Sequence, residues 1–104
     1  MQNSEKMVIK ELRETFALCT TIAEARTEKY GSIHEVFDQH DLFAYAQLKL
    51  KRAAAPRPDS NIDDILDTIN YLAYYAVSAT EGKISKGEVV GDEAKIVSIF
   101  KNND

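Results

Sequence analysis

Asp63, Asp67, Asn70 and Tyr74 recur at helical spacing. At about 100° per residue they form one continuous polar stripe. Two carboxylates one turn apart can bind Mg²⁺ through oxygen, with waters and phosphates completing the octahedron. They can equally pair with cations on facing helices, or form the solvated flank of an ordinary amphipathic helix. Ile62, Ile65, Leu66, Ile69, Leu72, Ala73 and Ala76 make the neighbouring stripe, which reads as the core face. Asn70 lies about 80° from the centre of that face, so it needs hydrogen-bond partners once buried.

Cations that could meet this stripe come from two other segments. Val8, Leu12, Phe16, Cys19 and Ala23 define the apolar line of a first helix, and the line extends to Arg26 and Tyr30. An arginine on a buried line needs an acidic partner or an anionic ligand, and its planar fork suits carboxylate and phosphate alike. The competing reading is a helix end already exposed, with Arg26 reaching solvent. Tyr45, Lys49 and Arg52 fall at i, i+4 and i+7 on a later helix. A basic stripe beside an aromatic ring can hold a phosphate and stack a base. Basic residues near a helix C-terminus are also what the helix dipole favours, as a solvated face.

Other titratable groups carry less. Glu24 and Glu28 are one turn apart but point about 120–160° away from the buried line, which favours solvated charges. Cys19 sits on the apolar line and reads as a small core residue. It excludes an internal disulfide and a Cys-based zinc site, and it fits a reducing compartment. His34 and His40 lack partners at ligand spacing and read as surface residues. Tyr71, Tyr74 and Tyr75 read as core or interface residues rather than a base-stacking platform, and three so close together suggest an interface. The sequence holds no glycine-rich phosphate loop and no nucleophile elbow.

These residues need helices to position them. The 104 residues predict one domain with a modest core, for which oligomerisation is a natural way to bury more surface. Ser4 as N-cap opens a helix running to about Lys29, with Gly31 suited to the left-handed C-terminal position. Ser32 and Glu35 make a capping-box pattern for a short helix to about Gln39. A third helix spans about Leu42 to Ala54, ended by Pro56-Arg57-Pro58. Ser60 with Asp63 caps a fourth, running to about Ala79. The expected organisation is a helical core over residues 1–81 and a polar C-terminal extension over 82–104, packed on that core or partly disordered. Within the extension, a hairpin around Ile84 to Val90 and a short helix from Asp92 to Phe100 are both compatible with the pattern. The fold class expected is all-α: a compact bundle of three main helices plus short ones.

Charge and hydropathy narrow the partners. A net charge of −4 argues against general nucleic-acid binding, though not against a small anion held by local cations. Met1 to Lys10 contain no apolar h-region, so no signal peptide is expected. No apolar run approaches the ~20 residues of a membrane span. A cytoplasmic location is expected.

Three short motifs resemble a known pattern. Arg26-Thr27-Glu28-Lys29-Tyr30-Gly31, Lys49-Leu50-Lys51-Arg52 and Asp63 through Tyr71 resemble the nucleotide-modification-associated domain, type one, a small α-helical family frequent in bacteriophages. The resemblance spans about residues 20 to 78. It implies a connection to nucleotides, with Arg26, Tyr30, Lys49, Arg52, Asn70 and Tyr71 binding ligand, Asp63 and Asp67 facing the cations or Mg²⁺, and the host cytoplasm as location. A more distant similarity is to the MazG-like all-α nucleotide pyrophosphatases, through Asp64-x-x-Asp67. Their first acidic motif is absent in strict form, because Glu24 and Glu28 are four apart. The expected function is therefore a phage-type protein holding a nucleotide or cyclic nucleotide in a charged pocket between helices, as a homo-oligomer. Two alternatives stand beside it: a Mg²⁺-dependent nucleoside triphosphate pyrophosphohydrolase, and an anti-defence protein that sequesters a cyclic-nucleotide signal or blocks a host factor.

Overall fold

The computed structural model describes residues 2–56 and 61–88, apart from the side chain of His34. The described residues are all-α and contain no strand. Four helices follow in order: α1 (Asn3–Tyr30), α2 (Ile33–Val36), α3 (Gln39–Ala54) and α4 (Ile62–Thr80). α4 packs along α3 and more sparsely against α1. None of these helices is long and apolar enough to cross a membrane. The expected helix from Asp92 to Phe100 lies outside the described residues. So does most of the 82–104 extension, and within the expected hairpin Ile84 to Gly87 form turns.

Local chemistry explains most boundaries and corrects some. α1 starts at Asn3 after Gln2, so Ser4 is inside the helix and is not its cap. The capping box predicted at Ser32 and Glu35 does not form; Ser32 precedes α2 without a side-chain bond. The box belongs to α3 instead. Asp38 Oδ1 accepts from the Asp41 N–H at 2.9 Å, and Asp41 Oδ2 accepts from the Asp38 N–H at 3.2 Å. The reciprocal pair satisfies two otherwise orphaned donors and starts α3 three residues earlier than the apolar pattern indicates. At the far end α3 stops at Ala54, where the approaching Pro56 removes helical continuation. The Asn61 side-chain amide then donates to the Ala53 carbonyl at 2.6 Å, tying the start of α4 to the end of α3.

Gly31 ends α1 with φ +87° and ψ 179°. This is not the left-handed helical cap but an extended positive-φ conformation essentially reserved for glycine. A β-carbon there would meet nothing within 4 Å, so the constraint is in the backbone alone. Gly31→Ala is expected to cost about 1–3 kcal/mol, measured by urea unfolding. An unchanged midpoint would mean that the chain re-routes freely after Tyr30.

The buried apolar side chains among the described residues are Cys19, Leu42, Ala46, Ala53 and Leu66. α4 is turned differently from the sequence expectation. Of its predicted core face only Leu66 is buried, while Ile62, Leu72 and Ala73 are exposed. Asp64, Asp67, Thr68 and Asn70 are the buried polar residues. The charged flank faces α1 and α3 because those helices bring the cations and the carbonyl that this flank requires.

Candidate functional site

The site is built where the C-terminal half of α1 and the middle of α3 meet α4. Asp67 is central, with its side chain 9% exposed. Arg26 Nη1 approaches its Oδ1 at 2.6 Å, and Lys49 Nζ approaches its Oδ2 at 3.2 Å. One turn earlier Arg52 Nε lies 3.6 Å from Oδ1 of buried Asp64. An aspartate removed from water without partners is expensive, so the two cations on Asp67 are a condition of this packing. Asn70 completes the seam, its amide donating to the Cys19 carbonyl at 3.1 Å. Each helix thus contributes one half of a polar contact whose other half is distant in sequence.

The structure brings together Arg26, Lys49, Asp67 and Asn70 as sequence reasoning grouped them. Asp63 is not in the cluster; it is exposed in the first turn of α4. Asp64, one residue and about 100° further round, takes the inward position. Sequence reading placed Asp64 only in the pyrophosphatase-like pair, although i,i+3 and i,i+4 spacings serve one face equally well. Glu24 and Glu28 are exposed, as their angular position on α1 requires.

Beside Asp67 opens a cleft of about 290 Å³, lined by Arg26, Tyr30, Gly31, Ile33, Phe37, Lys49 and Tyr71. Its aromatic wall is continuous. Phe37 and Tyr45 sit with ring centroids 4.9 Å apart, and Tyr45 stacks on Tyr71 at 5.5 Å with planes only 20° apart. Tyr75 meets Phe43 at 5.4 Å. Tyr71 and Tyr75 are therefore engaged by α3 within one chain. Sequence reading missed Phe37; its place follows from the short α2, which folds the chain back between α1 and α3.

The ion-paired set holds three cations, Arg26, Lys49 and Arg52, against two anions, Asp64 and Asp67. It carries one net positive charge on a chain whose total is −4. Arg26 is the accessible member at the cleft, with 44% of its side chain exposed, whereas Lys49 is 21% exposed. For a divalent metal the arrangement is less suited. Both buried carboxylates already face protein cations, and Asp63 points elsewhere. A separate exposed group, Asp38, His40 and Asp41, could approach a cation; its two carboxylates serve the α3 capping box.

Burial, and then the negative charge of Asp67, push the Cys19 thiol up. Burial also leads in pushing up the Tyr71 hydroxyl, with Asp67 adding to it and Arg26 opposing. Both groups hold their protons more tightly in the folded chain. Their contribution to stability is complete below the unfolded pKa, about 8.5 for the thiol, and is lost as pH rises through the folded value. Iodoacetamide at about pH 8.5, where a free thiol is half ionised, should therefore label Cys19 slowly in native protein and rapidly in urea. Equal rates would contradict the buried position of Cys19.

No family model matches this chain, and no curated protein or solved structure matches it.

Proposed function

We propose that the cleft beside Asp67 binds the phosphate-bearing part of a nucleotide or nucleotide-derived ligand, cyclic nucleotides included. The observation that carries this reading is the convergence of Arg26 and Lys49, from two helices, at the edge of an aromatic-lined cleft. Arg26 meets phosphate with the donors that Asp67 does not use, Lys49 adds a second charge, and Arg52 contributes field from the neighbouring pair. Tyr30 and Tyr71 offer ring faces to a base, and Asn70 braces α4 against α1 through the Cys19 carbonyl. Asp67 orients the cations, one of the two roles expected for it and for Asp63, the other being to hold Mg²⁺. The resemblance to the phage nucleotide-modification-associated family agrees with this ligand class and with action in a host cytoplasm. Retention of a cyclic-nucleotide signal without turnover is the anti-defence form of the same reading. Mg²⁺-dependent pyrophosphohydrolysis has weaker support, since the buried carboxylates are already paired.

The test is calorimetric titration and thermal shift with mononucleotides and cyclic dinucleotides, with and without Mg²⁺. Saturable binding that needs no Mg²⁺ is expected, with stabilisation growing with ligand concentration. Arg26→Gln should weaken it by about 1.5–3 kcal/mol, the worth of a charged hydrogen bond, roughly ten- to hundredfold in Kd. Lys49 remains to partner Asp67, so this variant keeps its fold. Turnover that requires Mg²⁺ would establish the hydrolase instead, and no response to any nucleotide would refute the ligand class.

A further inference from the structure

α4 turns its polar flank inward, and among the described residues its apolar face is left largely exposed. Ile62, Leu72, Ala73 and Val77 are exposed, and Ile65, Ile69 and Ala76 are only partly covered. α1 carries a second unpartnered surface. The hydrogen bond and the ion pair that join it to α4 come from Cys19 and Arg26, in its C-terminal half. Val8, Leu12 and Phe16 continue the line of buried Cys19 toward the N-terminus, yet Phe16 is 57% exposed and Val8 59%.

These two surfaces cannot meet within one chain. α1 is fixed to α4 on the side of Asp67 and Asn70. Ile69 lies about 160° around the helix from Asp67, and Leu72 about 160° from Asn70. The apolar face of α4 therefore points away from its own α1. The lengths match nonetheless: Val8 to Phe16 spans about 12 Å of helix and Ile62 to Leu72 about 15 Å.

We propose that the protein forms a two-fold dimer in which residues 8–16 of α1 from each copy cover the apolar face of α4 on the other. The contact is isologous, so each copy gives one helix segment and receives one. Each half-exposed large side chain offers on the order of 100 Å². Val8, Leu12, Phe16, Ile62, Leu72 and Val77 together supply roughly 600 Å² per copy, at the lower end of the ~600–1,000 Å² per partner of a stable interface. The small set of buried apolar side chains points the same way, because the second copy enlarges the core. This inference does not depend on which ligand the cleft binds.

Two differently tagged chains, one carrying Phe16→Cys and the other Leu72→Cys, are co-expressed and treated with a short bismaleimide. Native Cys19 is buried and unreactive in each. The expected product is a crosslink between the two tags, from material whose light-scattering mass is twice that of one chain at about ten micromolar. A mixed pair of Leu12→Glu chains should give no such crosslink. Because that variant could also lose its fold, its helicity is followed by circular dichroism, and the parental crosslink alone decides the outcome. A monomeric mass, or crosslinks confined to Phe16→Cys with itself, would overturn the proposal. The first result would mean that another part of the same chain covers α4, and the second that α1 pairs with α1.

Discussion

Replacing both Arg26 and Lys49 by alanine should destabilise the protein by about 3–5 kcal/mol, the cost of leaving a buried charge without its partners. Asp67 is almost wholly removed from solvent, and these two cations approach its two oxygens separately. Either single substitution leaves one partner, so each should cost well under half as much. The effect is therefore strongly non-additive. Adding Asp67→Asn to the double variant should recover most of the loss, since it removes the charge that lacks a partner. Asp67→Ala in the parent should be milder than the double variant. Arg26 is already 44% exposed and can turn to water once Asp67 is gone. Urea unfolding of the parent and these five variants measures all of these terms. Additive losses below about 1 kcal/mol, typical of exposed pairs, would show that water reaches Asp67 freely.

Leu42→Ala is expected to cost about 2–5 kcal/mol, the range for truncating a fully buried leucine. Leu42 is 1% exposed and is the largest fully buried side chain among the described residues. It lies in the first turn of α3, where the Asp38–Asp41 box fixes the entry of the helix, so neighbouring backbone has little freedom to collapse into the cavity. In a domain with so few buried apolar residues this loss is a large share of the total stability, which is about 5–15 kcal/mol for ordinary proteins. Leu50→Ala is the control. Leu50 is on the same helix and 54% exposed, so its change should stay within about 0.5 kcal/mol in the monomeric frame. Similar losses at both positions would mean that the burial pattern of α3 is not the one described.

The helices themselves were written in the chain. Apolar residues at helical spacing define three long helices, Gly31 ends the first, and the Pro56 segment ends the third. These are local effects: backbone conformations available to glycine, a missing N–H at proline, and a 3.6-residue period. The pairing of Arg26 with Asp67 was also legible, because Arg26 prolongs the line of α1 that carries Cys19, although the helix end is more exposed there than a buried line implies. What periodicity cannot give is the direction in which a helix faces. The apolar and polar stripes of α4 are both continuous, and local energy is the same whichever faces inward. Only the arrival of Arg26 and the Cys19 carbonyl from α1, and of Lys49 and Arg52 from α3, decides it. That long-range pairing buries Asp64 and Asp67, leaves Asp63 in solvent, and turns the stripe from Ile62 to Ala76 outward. Hydrogen bonds and ion pairs act over a few ångströms between residues up to 51 positions apart, so their outcome exists only once the helices have met.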